Sequence, residues 1–305
     1  MATPLAVQMK QALQRGDFRA VVAMAEAAGE VADDLEGARF RLLQAQAQSY
    51  VGQLTESLVV ARAVLERARA AGWEEAERHA LLRIAWTEAK RRGFAHVAPL
   101  AERLAGLATD ADDLSTLGDA HRLLSVYALD VGDGPRSLRH LQVAEACFAQ
   151  TGSEHRLLLT MTQLSRSYYL DNELDEALRL ILDVQRRAGE RGFRGVGARA
   201  REVRSAILLA TARLEEAEVA LTEAWETYLD LGYLHGLADT ANDLGEVARR
   251  RGKLEVAERW YREALVRADT EGGWRARLFP QINLGLVLLA RGDPEAKCCD
   301  PRKVQ

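Results

Sequence analysis

Apolar residues along this chain recur at helical spacing in short blocks, and each block is closed by a glycine or a polar break. The pattern is clearest in Gly236–Gly272, which reads GLADTANDLGEVARRRGKLEVAERWYREALVRADTEG. Ala241, Leu244, Gly245 and Ala248 fall on one face of a helix, and Leu254, Ala257, Tyr261, Ala264 and Leu265 fall on one face of a second. Between them Arg251-Gly252-Lys253 supplies the break, with Gly252 free to take the left-handed conformation that ends a helix. The spacing predicts two amphipathic helices folded back on each other. Small residues at Gly245 and Ala257 let the two backbones approach, and Tyr261 fills the space beside them.

One helical hairpin cannot bury its apolar faces alone, so the unit should recur. It does, at a period of 40: the turn positions run Gly132, Asn172, Ala212, Gly252 and Gly292. Two residues beyond three of them stand Leu174, Leu214 and Leu254, and five beyond stand the small residues Ser137, Ala177, Ala217 and Ala257. The end of each second helix is marked at the same interval by Gly152, Gly192, Gly232 and Gly272. Earlier copies show the same order with small departures. Thr3-Pro4 suits the opening of a first helix, Gly16-Asp17-Phe18 a turn, and Val21 to Ala25 a short second helix, as expected of a cap. The next copy turns at Gly52 and closes near Gly72. A third turns at Gly93 and closes in Asp110-Ala111-Asp112-Asp113, an acidic run placed to favour the start of the following helix. The reading is one continuous array over residues 1–296, with a short capping hairpin over 1–30, an incomplete last repeat, and an irregular tail over 297–305.

Leu244-Gly245, Gly252, Leu254, Ala257, Tyr261 and Ala264-Leu265 stand where the tetratricopeptide repeat motif places its small and large residues, so the chain resembles that family. The resemblance implies an all-α fold, a right-handed α-α superhelix (the tetratricopeptide solenoid) built of tandem helical hairpins. It also implies that the first helix of each copy lines a concave groove that holds a protein or peptide ligand. With Ser125, Ser165, Ser205 and Gly245 aligned as the small position, the groove residues carried over are Arg122, Arg166, Tyr169, Arg199, Glu202, Asn242, Glu246 and Arg249. Arg and Tyr are residue types that anchor peptides, through forked hydrogen bonds and rigid amphipathic area. The lysine-based clamp with which one subgroup of the family grips a terminal carboxylate is not reproduced. Repeats of about 40 rather than 34 residues resemble those of bacterial transcription activators, serine/threonine kinases, nucleotide cyclases and peptide-pheromone sensors. A sensory or regulatory module separated from its output domain is therefore the alternative to a plain binding scaffold.

Composition changes the picture mainly by exclusion. A net charge of −4 argues against a general binder of nucleic acid. The three cysteines, two of them adjacent at Cys298-Cys299, make no disulfide framework, which points to a reducing, cytoplasmic setting. No run of 18 apolar residues occurs, so no membrane partner is expected. HExxH, GxxxxGK[ST], paired CxxC and GxSxG motifs do not occur, and the six histidines fall in different copies without metal spacing. Gly192-Phe193-Arg194-Gly195-Val196-Gly197 follows a helix rather than a strand, which makes it an inter-repeat loop and not a phosphate cradle. No cofactor, metal or catalytic activity is implied.

At the far end Gly292-Asp293-Pro294 resembles the opening of another second helix, but Pro301 would break it. That leaves Ile282, Leu284, Leu286, Val287, Leu288 and Leu289 expected to lack a covering helix. Each such side chain gains roughly 1.5–3 kcal/mol on burial, so either self-association or a further domain is expected on that face.

Overall fold

The computed structural model describes residues 4–29, 31–269 and 274–292. Every regular element among them is an α-helix, and the chain divides into two compact units, residues 1–197 and 198–305. Thr3, Gly272 and the tail carrying Cys298 and Cys299 lie outside the described residues, as does the second helix expected after Gly292.

The first unit is a run of antiparallel hairpins. α1 (Leu5–Arg15) and α2 (Phe18–Ala27) form a short first pair. Longer pairs come after it: α3 (Leu35–Tyr50) with α4 (Leu54–Ala71), α5 (Glu74–Arg92) with α6 (Phe94–Asp110), α7 (Leu114–Asp130) with α8 (Gly134–Gln150), and α9 (Glu154–Leu170) with α10 (Leu174–Arg191). α11 (Arg194–Ala210) begins at the end of this unit. Gly195 and Gly197 therefore belong to a helix, and only Gly192 and Phe193 form the loop before it. The second unit continues with α12 (Leu214–Leu231), α13 (Leu234–Arg250), α14 (Leu254–Asp269) and α15 (Trp274–Ala290).

The turn chemistry explains the period. Gly132, Asn172, Ala212, Gly252 and Gly292 all carry positive φ, from +59° at Ala212 to +80° at Gly132. At Gly252 the amide donates to the Arg249 carbonyl at 3.0 Å, and the Lys253 amide donates back to Ala248 at 2.9 Å. Ala212 and Arg213 make the same pair with Leu209 and Leu208, at 3.1 and 2.8 Å. One backbone motif, which closes the last carbonyls of a first helix, thus repeats with or without glycine. In the acidic run Asp112 takes the left-handed position, with φ +53°. Asp113 caps α7, accepting from the Thr116 amide at 3.0 Å and the Thr116 hydroxyl at 2.7 Å. The run serves the helix through direct hydrogen bonds, a more specific role than its charge alone. At the N-terminus Pro4 sits at the cap position itself, one residue earlier than a first-turn proline.

Close approach at the small positions shapes the packing. A Cβ added at Gly245 would stand 2.5 Å from Tyr261, whose ring is fully buried between α13 and α14. Gly118 meets Phe148 in the same way at 2.7 Å, and Gly236 meets Tyr228 at 2.6 Å. Ser125, Ser137, Ser165, Ser205, Ala177, Ala217 and Ala257 are all buried, as the register requires. Each full burial of a large side chain such as Tyr228 or Tyr261 contributes roughly 1.5–3 kcal/mol. In the first unit one core joins α3, α4 and α5 through Leu42, Ala45, Val64 and Ala80, and another joins α5, α6 and α7 through Leu82, Leu104 and Leu123. In the second unit Leu221, Leu244 and Val247 pack together, as do Tyr261, Leu284 and Leu288.

The α15 helix corrects one expectation. Leu284, Val287 and Leu288 are buried against Ala248, Ala257 and Tyr261, so they already have a cover. Only Ile282, Leu286 and Leu289 of the predicted six are exposed, together with Leu278 and Phe279. The helix interface that the repeat register assigned to a following helix is partly supplied by the preceding hairpin. No described helix is long and apolar enough to cross a membrane.

Candidate functional site: the inner faces of the first helices

In the first unit the first helices of successive hairpins touch one another directly, α1 on α3, α3 on α5 and α5 on α7. Second helices reach their neighbours mainly through these first helices. A layer in which one set of helices is crowded together and the other splayed curves toward the crowded set, so the first helices form its inner wall. In the second unit α13 and α15 touch in the same manner.

Side chains stitch that wall from one first helix to the next at a spacing near the repeat. Arg122 Nε donates to Gln163 Oε1 at 3.1 Å, Lys90 Nζ to the Ser49 carbonyl at 2.8 Å, and Arg156 to the Ser115 hydroxyl. Asn283 donates to Asn242 Oδ1 at 3.0 Å in the second unit. The polar positions of these helices are therefore partly consumed by the array itself.

The eight residues carried over by the resemblance divide accordingly. In the first unit Arg166 is exposed on α9, with no ion pair or hydrogen bond to its side chain among the described residues, and Tyr169 is half-buried one turn on. Arg122 is almost covered: its side chain is 11% exposed and binds Asp119 at 3.1 Å while lying 5.3 Å over the Trp86 ring. In the second unit Arg249 pairs with Glu246 through two hydrogen bonds of 2.8 and 2.7 Å, and Arg250 shares the same carboxylate. Asn242 is committed to Asn283. Arg199 bridges Glu202 at 3.1 Å and Asp239 at 3.4 Å.

Glu202 departs furthest from the expectation of an outward groove residue. It is buried, and its carboxylate accepts from the Tyr228 hydroxyl at 2.8 Å and the Thr240 hydroxyl at 3.1 Å as well as from Arg199. Burial pushes its carboxyl above the ordinary range, and burial together with this carboxylate holds the Tyr228 hydroxyl well above its own. Four groups satisfying one another inside the helical layer make a structural network, which a surface alignment cannot distinguish from a ligand contact.

A second group comes together, mostly outside those eight. On α5, α7 and α9 the structure gathers Arg83, Trp86, Arg122 and Arg156 around the single carboxylate of Asp119. The period aligns Arg83 with Leu123, Gln163 and Val203, so a charge at that register was the available clue. His121 and His140, distant in sequence, meet with their Nδ1 atoms 2.9 Å apart between α7 and α8. Burial and the neighbouring imidazole push His121 down to about 4. No cluster of three or more metal-ligating side chains occurs among the described residues.

Residues 237–268 match the tetratricopeptide repeat family model. The match spans most of α13, its turn and most of α14, and hairpins of similar length precede it in the chain. Residues 237–268 therefore carry a tetratricopeptide repeat. No curated protein matches the sequence. Among solved structures, a Rap protein complexed with competence and sporulation factor superposes with a TM-score of 0.72 at 15% identity, covering 88% of this chain and 74% of that one. The Cut9–Hcn1 hetero-tetramer of the APC/C gives 0.67 at 11% identity, with 98% and 53% covered. A signal transduction ATPase with a tetratricopeptide repeat sensor from Pyrococcus horikoshii gives 0.54 at 11%, with 90% and 41% covered. At these identities the likeness is one of fold: all-α, tandem hairpins of the tetratricopeptide solenoid class.

Proposed function

We propose that this chain is a non-catalytic binding scaffold that holds a protein or peptide segment against the inner faces of its first helices. The observation that carries the reading is the contrast between Arg166 and its relatives. Arg122, Arg199 and Arg249 are all engaged by carboxylates of the array, whereas Arg166 stands exposed beside Tyr169 with no such partner among the described residues. An unengaged guanidinium next to a half-buried aromatic ring on an inner wall is the arrangement that anchors a peptide. A regulatory module of a larger signalling protein is the second reading, favoured by the neighbour that carries its repeats as a sensor. Both readings place the ligand on the same wall and differ in the consequence of binding.

The test is affinity capture from native lysate with the intact chain and with Arg166→Ala/Tyr169→Ala. Loss of specific partners by the double variant, with helicity retained, supports the assignment. Undiminished capture removes Arg166 and Tyr169 from the site.

A further inference from the structure

The inner wall of the first unit carries more positive charge than it neutralises. Arg83 on α5 is half-buried, and the only hydrogen bond of its side chain among the described residues is to the neutral amide of Gln46 at 3.0 Å. No carboxylate among the described residues lies within ion-pair distance of it. Arg122 and Arg156, on α7 and α9, share the one carboxylate of Asp119, at 3.1 and 3.3 Å. The neighbouring acids are spoken for elsewhere: Asp113 by Arg78 at 3.2 Å, and Glu154 by Arg187 at 2.9 Å. His155 beside this group is pushed down to about 4 by burial and by Arg122 and Arg156, so it adds no charge near neutral pH. Three guanidinium groups therefore face one carboxylate, walled on one side by the Trp86 ring.

Burying an uncompensated charge is unfavourable, and proteins satisfy such groups or lose them. Burial and the like charge of Arg156 press both Arg83 and Arg122 below their ordinary range, with Asp119 opposing. A surface that keeps such an arrangement when a neutral residue would be more stable is poised for an anion. Guanidinium groups suit a carboxylate through forked hydrogen bonds, and an aromatic wall suits the aliphatic stem that carries it.

We propose that Arg83, with Arg122 and Arg156, forms the subsite for an acidic side chain of a bound peptide, its stem packed on Trp86. This deepens the binding-scaffold reading and rests on it. The acidic residue would displace no protein partner of Arg83 except the Gln46 amide, and it would complete the charge balance of the wall.

The experiment uses the full chain, immobilised, and two pools of capped random heptapeptides that differ only in a central Glu or Gln. The protein is expected to retain the Glu pool about tenfold to a hundredfold better, the worth of one hydrogen bond to a charged group. That preference should shrink as salt is raised. Arg83→Met is expected to abolish the preference while leaving the melting temperature of the free protein unchanged or higher, and Arg91→Met should leave both as they were. Arg156→Met, expected to weaken the preference, provides a second route should Arg83→Met lose its helicity. Equal retention of the two pools overturns the acidic subsite and leaves the peptide groove standing. Retention of neither pool overturns both. A preserved Glu preference in Arg83→Met, or a markedly lowered melting temperature with the preference intact, assigns Arg83 a structural role and also overturns the proposal.

Discussion

Ala212 ends α11 in a conformation that an L-residue enters at a cost. Its φ is +59°, its side chain is exposed, and its amide and that of Arg213 make the same two closing hydrogen bonds that Gly252 and Lys253 make one repeat later. Left-handed backbone costs an L-residue roughly 1–2 kcal/mol, a term that Ala212→Gly removes. Glycine returns part of this through the greater freedom of the unfolded chain, about 0.4–1 kcal/mol. The expected net gain is therefore about 0.5–1 kcal/mol, from a substitution that touches no contact. Gly252→Ala should lose a similar amount, since a Cβ there meets nothing within 4 Å and only the torsion is penalised. Asn172→Gly should gain less than Ala212→Gly, because asparagine tolerates the left-handed region better than alanine. Urea unfolding monitored by far-ultraviolet circular dichroism gives the ranking. Amide exchange at Ala212 and Arg213 locates the effect at the turn. A destabilised Ala212→Gly protein, or a Gly252→Ala protein as stable as the parent, would refute the claim that one turn geometry sets the repeat.

The same packing has other consequences. Gly245→Ala drives a methyl group into the Tyr261 ring and should cost about 1–3 kcal/mol of unfolding free energy. The cost should shrink in a Tyr261→Ala background, and an unchanged cost there would exonerate the ring. Glu202→Leu strands the Tyr228 and Thr240 hydroxyls and leaves Arg199 with Asp239 alone, and should cost about 3–5 kcal/mol in urea unfolding. Acid should weaken the first unit through His121. Above its unfolded value of 6.5 both states are neutral; below it the unfolded chain takes a proton that the folded imidazole refuses until about 4, so stability falls across that window. His121→Phe should flatten the fall in a pH series of melting curves, and an equally steep profile would show that His121 is not its source.

Much of the architecture was legible because its determinants are local and repeat. The register of Gly132, Gly252 and Gly292 marks turns whose backbone only a few residue types accept, and Asn172 and Ala212 were recognisable by position despite their chemistry. Tyr261 beside Gly245 was legible for a similar reason: a large residue opposite a missing Cβ has one place to go. The site was less so. Whether an arginine on a first helix meets solvent or a protein partner depends partly on its neighbour some forty residues away, as Arg122 with the Gln163 amide and Arg199 with the Asp239 carboxylate demonstrate. Glu202 reads as an outward residue by alignment and is buried because Tyr228, Thr240 and Arg199 converge on it. Arg83 and Arg156 escaped notice because each looks like an ordinary surface charge until Asp119 is seen to serve two guanidinium groups. The exposed strip of Phe279, Ile282, Leu286 and Leu289 was half anticipated; which α15 leucines the preceding hairpin would cover depended on packing against Tyr261.

Site-specific photo-crosslinking compares the two faces of the first unit most directly. A benzophenone side chain placed at Arg166, on the inner wall, is expected to give discrete protein or peptide adducts from native lysate. The same group at Val143, exposed on the second helix α8, should give none above background. Adducts of equal yield from both positions, or from Val143 alone, would contradict the assignment of the inner wall as the binding surface.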